Sequence, residues 1–323
     1  MSKDCVYTGG VIAVKENSLL GSKLFKLAEL SADEAFRSLS ESGFSRGTEG
    51  GSVYDYESVL AADMRDLDAF IREYAPTNAE RDYFLAPRDF HNAKAILKSE
   101  YSGAEKQGML APDGNIPSDE ISRLIKERNF APLGKYLAQA CKTCVELFEG
   151  ESEVSGAEIG LIFEKALFAH LTDSCKRNSS LKKLIKLKAD YTDILAVMRS
   201  KTPEYALNNC VLSGELKVNQ LEKLTSEDME KAASQFLGTK YESFVNACFE
   251  AKQNALPFTK AERMLADIEI DYLQKKKYEL KNSQPFLYYV LRRRAENINL
   301  RIIFVCLMAG MGEEQIKSRL RAV

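Results

Sequence analysis

A ten-residue pattern occurs three times in this chain, and its spacing limits the folds open to it. Asp89-Phe90-His91-Asn92-Ala93-Lys94-Ala95-Ile96-Leu97-Lys98 returns as Asp190-Tyr191-Thr192-Asp193-Ile194-Leu195-Ala196-Val197-Met198-Arg199. It returns more weakly as Glu296-Asn297-Ile298-Asn299-Leu300-Arg301-Ile302-Ile303-Phe304-Val305. The copies are offset by 101 and 106 residues in a chain of 323. Each opens with an acid, places Asn or Asp three residues later and runs on into aliphatic residues. Any amphipathic helix can be aligned to another, so a second signal is needed. It lies upstream, where Tyr56-Glu57-Ser58-Val59-Leu60, Phe163-Glu164-Lys165-Ala166-Leu167 and Ala261-Glu262-Arg263-Met264-Leu265 precede the three acids by 33, 27 and 35 residues. Units of this length are too long for a solenoid repeat and long enough for small domains. The division expected from the copies is 1–110, 111–217 and 218–323.

Helix signals dominate. Ser or Thr followed three residues on by an acid, a pairing that satisfies free N–H groups of a first turn, occurs at Ser31–Glu34, Thr77–Glu80, Ser155–Glu158, Thr225–Asp228 and Thr259–Glu262. No stretch alternates apolar and polar residues with hairpin turn chemistry. The expected class is all-α. Pro87 is expected to open the helix that carries Asp89. Gly103–Pro117 and the region from Thr202 to Gly214 look like junctions, and Gly43–Gly51 looks like a loop inside the first unit.

Charge is unevenly spread. Residues 1–90 carry 10 Lys/Arg against 16 Asp/Glu, and residues 281–323 carry 8 against 3, within a net charge of −2. Such ends can attract one another within the fold, meet different partners, or form solvated faces. The near-zero net charge gives no reason to expect nucleic acid or an anionic membrane as the main partner. The longest apolar run, Ile302 to Met311, is too short to span a bilayer and reads as a buried helix. No secretory signal opens the chain, and seven scattered cysteines suit a reducing compartment.

Little catalytic chemistry is visible. Cys141-x-x-Cys144 lacks the second pair that a structural zinc site needs, and the only histidines are His91 and His170. At the His91 position the other copies carry Thr192 and Ile298. No phosphate-binding glycine loop is present. Lys275-Lys276-Lys277 reads as a solvated face. Arg292, Arg293 and Arg294 either pair within the third unit or grip an acidic partner. The polar residues of the pattern read as structural: Asp89 with Asn92, Asp190 with Asp193, and Glu296 with Asn299 lie at i and i+3 on one helix face, beside residues that must be buried. Each must bond a neighbouring helix end, because unpaired burial costs about 1–3 kcal/mol per group.

These segments resemble a known family. Tyr7-Thr8-Gly9-Gly10-Val11-Ile12-Ala13-Val14-Lys15-Glu16-Asn17-Ser18-Leu19-Leu20 is similar to its N-terminal helix, with Gly9-Gly10 in place of the usual Asn-Ala. The Asp89–Lys98 segment resembles its first-domain signature, and Asp193 stands where the family commonly has Asn. Glu296–Ile303, with Gly310-Met311-Gly312-Glu313-Glu314-Gln315-Ile316-Lys317-Ser318-Arg319-Leu320, resembles its C-terminal signature. The family is that of the C-type (or d-type) subunits of prokaryotic V-type or A-type rotary ATPases, and the resemblance runs from about residue 7 to residue 321.

The resemblance implies three similar helical bundles around a pseudo-threefold axis, shaped as a funnel. It implies a non-catalytic socket on the cytoplasmic face that seats the rotor shaft, rests on the membrane proteolipid ring and needs no cofactor. Two other classes stand beside this expectation: a helical adaptor for some other coiled-coil or acidic partner, and an all-α enzyme with a buried acid pair.

Overall fold

The computed structural model describes residues 5–42, 44, 51–103, 108–150, 154–176, 178–225, 229–279 and 282–322. Among them are sixteen α-helices and no strand. In chain order these are α1 (Cys5–Lys15), α2 (Lys23–Leu27), α3 (Ala32–Glu41), α4 (Tyr56–Tyr74), α5 (Asn78–Ser102), α6 (Ser118–Lys126), α7 (Lys135–Phe148) and α8 (Gly156–Ser174). They continue as α9 (Ser179–Arg199), α10 (Pro203–Ala206), α11 (Val218–Lys223), α12 (Met229–Ser234), α13 (Glu242–Gln253), α14 (Thr259–Gln274), α15 (Gln284–Met308) and α16 (Glu313–Lys317).

The chain forms two compact units. One joins Met1–Thr77 to Ala266–Val323, and the other is Asn78–Leu265. In the first, α15 packs on α1, α2, α3 and α4. Its core interleaves residues from both ends of the sequence: Leu24, Phe36, Leu39 and Leu60 pack with Leu300, Ile303, Phe304 and Ile316. Phe304 is fully buried and meets Phe36 edge-on at 6.1 Å and Tyr56 at 5.4 Å. The charge asymmetry is used here. Asp63 pairs with Arg293, Glu57 with Arg301 at 2.9 Å and Glu29 with Lys317 at 2.8 Å.

In the second unit α5 packs on α6, α7 and α8 around Ile96, Leu97, Ile121, Leu124, Cys141 and Phe163. Further along, α9 packs on α11 and α13, with Tyr191 and Phe244 rings 4.4 Å apart. The Tyr191 hydroxyl donates to the Lys240 carbonyl at 2.7 Å.

Several helix starts follow their caps. Ser31 and Glu34 form the reciprocal pair, and Ser155 accepts from the Glu158 N–H at 3.1 Å. Others differ. Thr259 is the first residue of α14, and Glu262 turns to Arg199 on α9. Glu80 is buried and accepts from Asn178 Nδ2 at 2.5 Å, while Asn178 Oδ1 caps α9 through the Leu181 N–H. Asp228, Gly43, Gly47 and Gly50 lie outside the described residues.

Pro87 does not open a helix. It sits inside α5, nine residues past the start at Asn78. Proline removes one ladder bond and crowds the preceding turn. Burial of Phe84, Leu85, Phe90, Ile96 and Leu97 on the same helix offsets that cost. The apolar run from Ile302 lies in α15, which ends at Met308, and Gly310 follows in the left-handed conformation at φ +71°.

Candidate functional site

The three sequence motifs become three backbone clamps. On α5, Asp89 accepts the N–H groups of Asn115 (3.0 Å) and Ile116 (3.1 Å). One turn on, Asn92 accepts the Ala111 N–H at 2.8 Å and donates Nδ2 to the Ala111 carbonyl at 3.2 Å. On α9, Asp190 accepts from Glu215 (2.7 Å) and Leu216 (2.8 Å), and Asp193 accepts from Val211 (2.6 Å) and Leu212 (3.0 Å). On α15, Asn299 accepts the Arg321 N–H at 2.8 Å and donates to the Arg321 carbonyl at 3.1 Å. Glu296 accepts from Leu20 (3.2 Å) and Gly21 (2.9 Å), 276 and 275 residues away in sequence.

All six side chains are buried, and their acceptor atoms satisfy loop N–H groups that have left any helix ladder. Burial pushes Asp89 and Asp193 up to about 6, although the backbone donors pull the other way. The clamp on α9 holds Leu212 at φ +53°, a left-handed backbone that a leucine seldom adopts.

Some partners carry no motif of their own. A Cβ at Gly114 would overlap the Asp89 carboxylate, and a Cβ at Gly214 would overlap that of Asp190. Both loops therefore need glycine to come this close. The recurrence of Gly 25 and 24 residues after the acid was a readable signal. Tyr241 donates its hydroxyl to Asp190 Oδ2 at 2.5 Å, and nothing in the sequence pattern announces it. In the third clamp Leu19 precedes the held pair, and the acid is Glu, one methylene longer than Asp. The longer side chain suits a loop that cannot approach as closely.

The Arg292–Arg294 run is engaged inside its own unit. Arg293 meets Asp63, the carbonyls of Ser18 (3.4 Å) and Phe44 (3.3 Å), and the Phe44 ring at 4.8 Å. Asn297 completes this cluster with donors to Asp63 Oδ2 (2.9 Å) and the Leu60 carbonyl (3.0 Å). Arg292 lies 3.4 Å from Glu296. The charge of Arg294 offsets part of the burial that pushes Glu269 up to about 7.

The remaining chemistry-bearing residues are dispersed. Cys141 and Cys144 are fully buried on α7, and burial pushes their thiols up to about 12 and about 11, far from a reactive thiolate. His91 Nε2 donates to the Met109 carbonyl at 3.0 Å. His170 lies between the Phe90 and Tyr136 rings, 3.8 Å from Asp82. A groove of about 470 Å³ between α5 and α8 is lined by Pro87, His91, Lys94, Gly160 and Asn209, with Glu164 as its one acid.

Among the described residues the chain is all-helical, and its paired polar motifs hold backbone in place. Over residues 9–319 it matches the ATP synthase (C/AC39) subunit family, and it belongs to that family, the C-type (or d-type) subunits of V/A-type ATPases. No curated protein matches the chain. Membership makes it a central-stalk component of a V/A-type ATPase complex. Among the described residues no helix is long and apolar enough to cross a membrane.

Proposed function

We propose that this chain is the non-catalytic socket of a rotary ATPase. It seats the rotor shaft, rests on the cytoplasmic face of the membrane proteolipid ring, and passes rotation between ATP chemistry and proton or sodium movement. The family match across nearly the whole chain carries this reading. The clamps support it, because a torque-bearing part needs its loops held to its helices. The loops after α5 and α9 are each held at two points of one helix, and α15 holds two segments, Leu20–Gly21 and Arg321, one turn apart. In this reading three similar helical bundles form a funnel about a pseudo-threefold axis, and contact with the shaft buries on the order of 1,000 Å² or more.

The test is a purified complex assembled with and without the chain. Without it, ATP hydrolysis by the soluble sector should persist while ATP-driven ion pumping is lost, and adding the chain back should restore pumping. Pumping that survives the omission, or ATP hydrolysis by the chain alone, overturns the proposal.

A further inference from the structure

The three clamps have the same downstream order, but in the third that order leaves the C-terminal end of the sequence and resumes near its beginning. After α5, the clamped pair Asn115–Ile116 leads in two residues to the short helix α6, then to α7 and the long α8. After α9, the pair Glu215–Leu216 leads in two residues to the short helix α11, then through the additional short helix α12 to α13 and the long α14. The pair clamped by α15 is Leu20–Gly21, and it leads in two residues to the short helix α2, then to α3 and the long α4.

Packing follows the same order. The first motif helix, α5, meets α6, α7 and α8. The second, α9, meets α11 and α13, and Arg199 reaches Glu262 on α14. The third, α15, meets α2, α3 and α4. The long helices α4, α8 and α14 each immediately precede the next motif helix.

We infer that the third repeat is discontinuous in sequence: residues 284–322 are its proximal part and residues 20–74 its distal part. Each repeat then begins at its motif helix, where a division at 110 and 217 ends each repeat with it. Among the described residues the N-terminal helix α1 belongs to neither part: in this order it falls between the backbone held by Asn299 and that held by Glu296, where the other two repeats have no helix. The core agrees with this assignment, since Leu24, Phe36 and Leu60 pack with Leu300 and Phe304 as one cluster. Glu296 is the joint. It does for residues 20 and 21 what Asp89 and Asp190 do for loops 25 to 27 residues downstream of themselves.

Native-state amide exchange on the full chain tests this. In the wild-type protein the Leu20 and Gly21 amides should open with the same denaturant dependence as the Phe304 amide, as one cooperative unit. In Glu296→Gln, one acceptor becomes a donor facing a backbone N–H. Leu20 and Gly21 should then exchange roughly tenfold faster or more, with Ile116 and Leu216 unchanged. Asp89→Asn should do the reverse, speeding Asn115 and Ile116 alone. The wild-type measurement stands even if a variant fails to fold. Leu20 and Gly21 amides that open at lower denaturant than Phe304 overturn the inference, as does a Glu296→Gln protein in which their exchange is unchanged.

Discussion

Gly214 lies against the Asp190 carboxylate so closely that position 214 admits no side chain. The contact lets Asp190 reach two successive N–H groups, at 2.7 and 2.8 Å, while Tyr241 donates to its other oxygen. Gly214→Ala should therefore displace the loop and uncover a buried carboxylate, destabilising the protein by about 2–4 kcal/mol. Tyr241→Phe removes one donor and keeps the ring, so its cost should be smaller, about 1–3 kcal/mol. Urea unfolding midpoints compare the two. Equal and negligible losses would mean the clamp is not under tension.

Gly10 gives the opposite sign. It lies inside α1 with open space where a Cβ would stand. Gly10→Ala should stabilise by about 0.5–1 kcal/mol, through the unfolded chain and helix propensity. A raised thermal midpoint is the expected result, and a lowered one would show that α1 needs this position bare.

Two ion pairs in the same unit should differ sharply. Asp63 and Arg293 are buried together, so Asp63→Ala leaves a guanidinium without its charge partner and should cost about 3–5 kcal/mol. Glu57 and Arg301 are half exposed, and Glu57→Ala should cost less than about 1 kcal/mol. Chemical denaturation of both variants checks the contrast.

The clamps also set a pH dependence. Asp89 and Asp193 are pushed from an ordinary 3.8 up to about 6 in the folded protein. Between those values the folded state binds more protons than the unfolded one. Stability from these groups is therefore greatest below the unfolded value and is lost as pH rises towards about 6. Asp193→Asn removes one of the two titrations. The stability of wild type minus that of the variant should fall between about pH 4 and about pH 7, as read from denaturation midpoints. A flat difference would mean that Asp193 titrates normally.

The sequence shows where the clamps stand but not all of what they hold. Acids and amides at i and i+3 beside aliphatic runs announced six buried polar residues, because burial demands partners. Gly114 and Gly214 recur at nearly constant distance, so two of the held loops were within reach of the same reasoning. The third was not. Leu20 and Gly21 lie far from Glu296 in sequence, and no glycine like Gly114 or Gly214 precedes them, since that position is Leu19. The Arg292–Arg294 run left two readings open, since no local pattern says that Asp63 and Phe44 will meet Arg293. Pro87 looked like a helix start because proline favours first turns, and only the tertiary burial along α5 explains why the helix passes through it.

Glu296 and Asn299 stand one turn apart on α15. A push on α2 therefore reaches α15 through its direct packing and through two hydrogen bonds at residues 20 and 21, although Gly21 and Glu296 are 275 positions apart in sequence. The same turn anchors the backbone at Arg321. Load arriving through residues 20 and 21 or through Arg321 is thus taken up at a single level of one long helix.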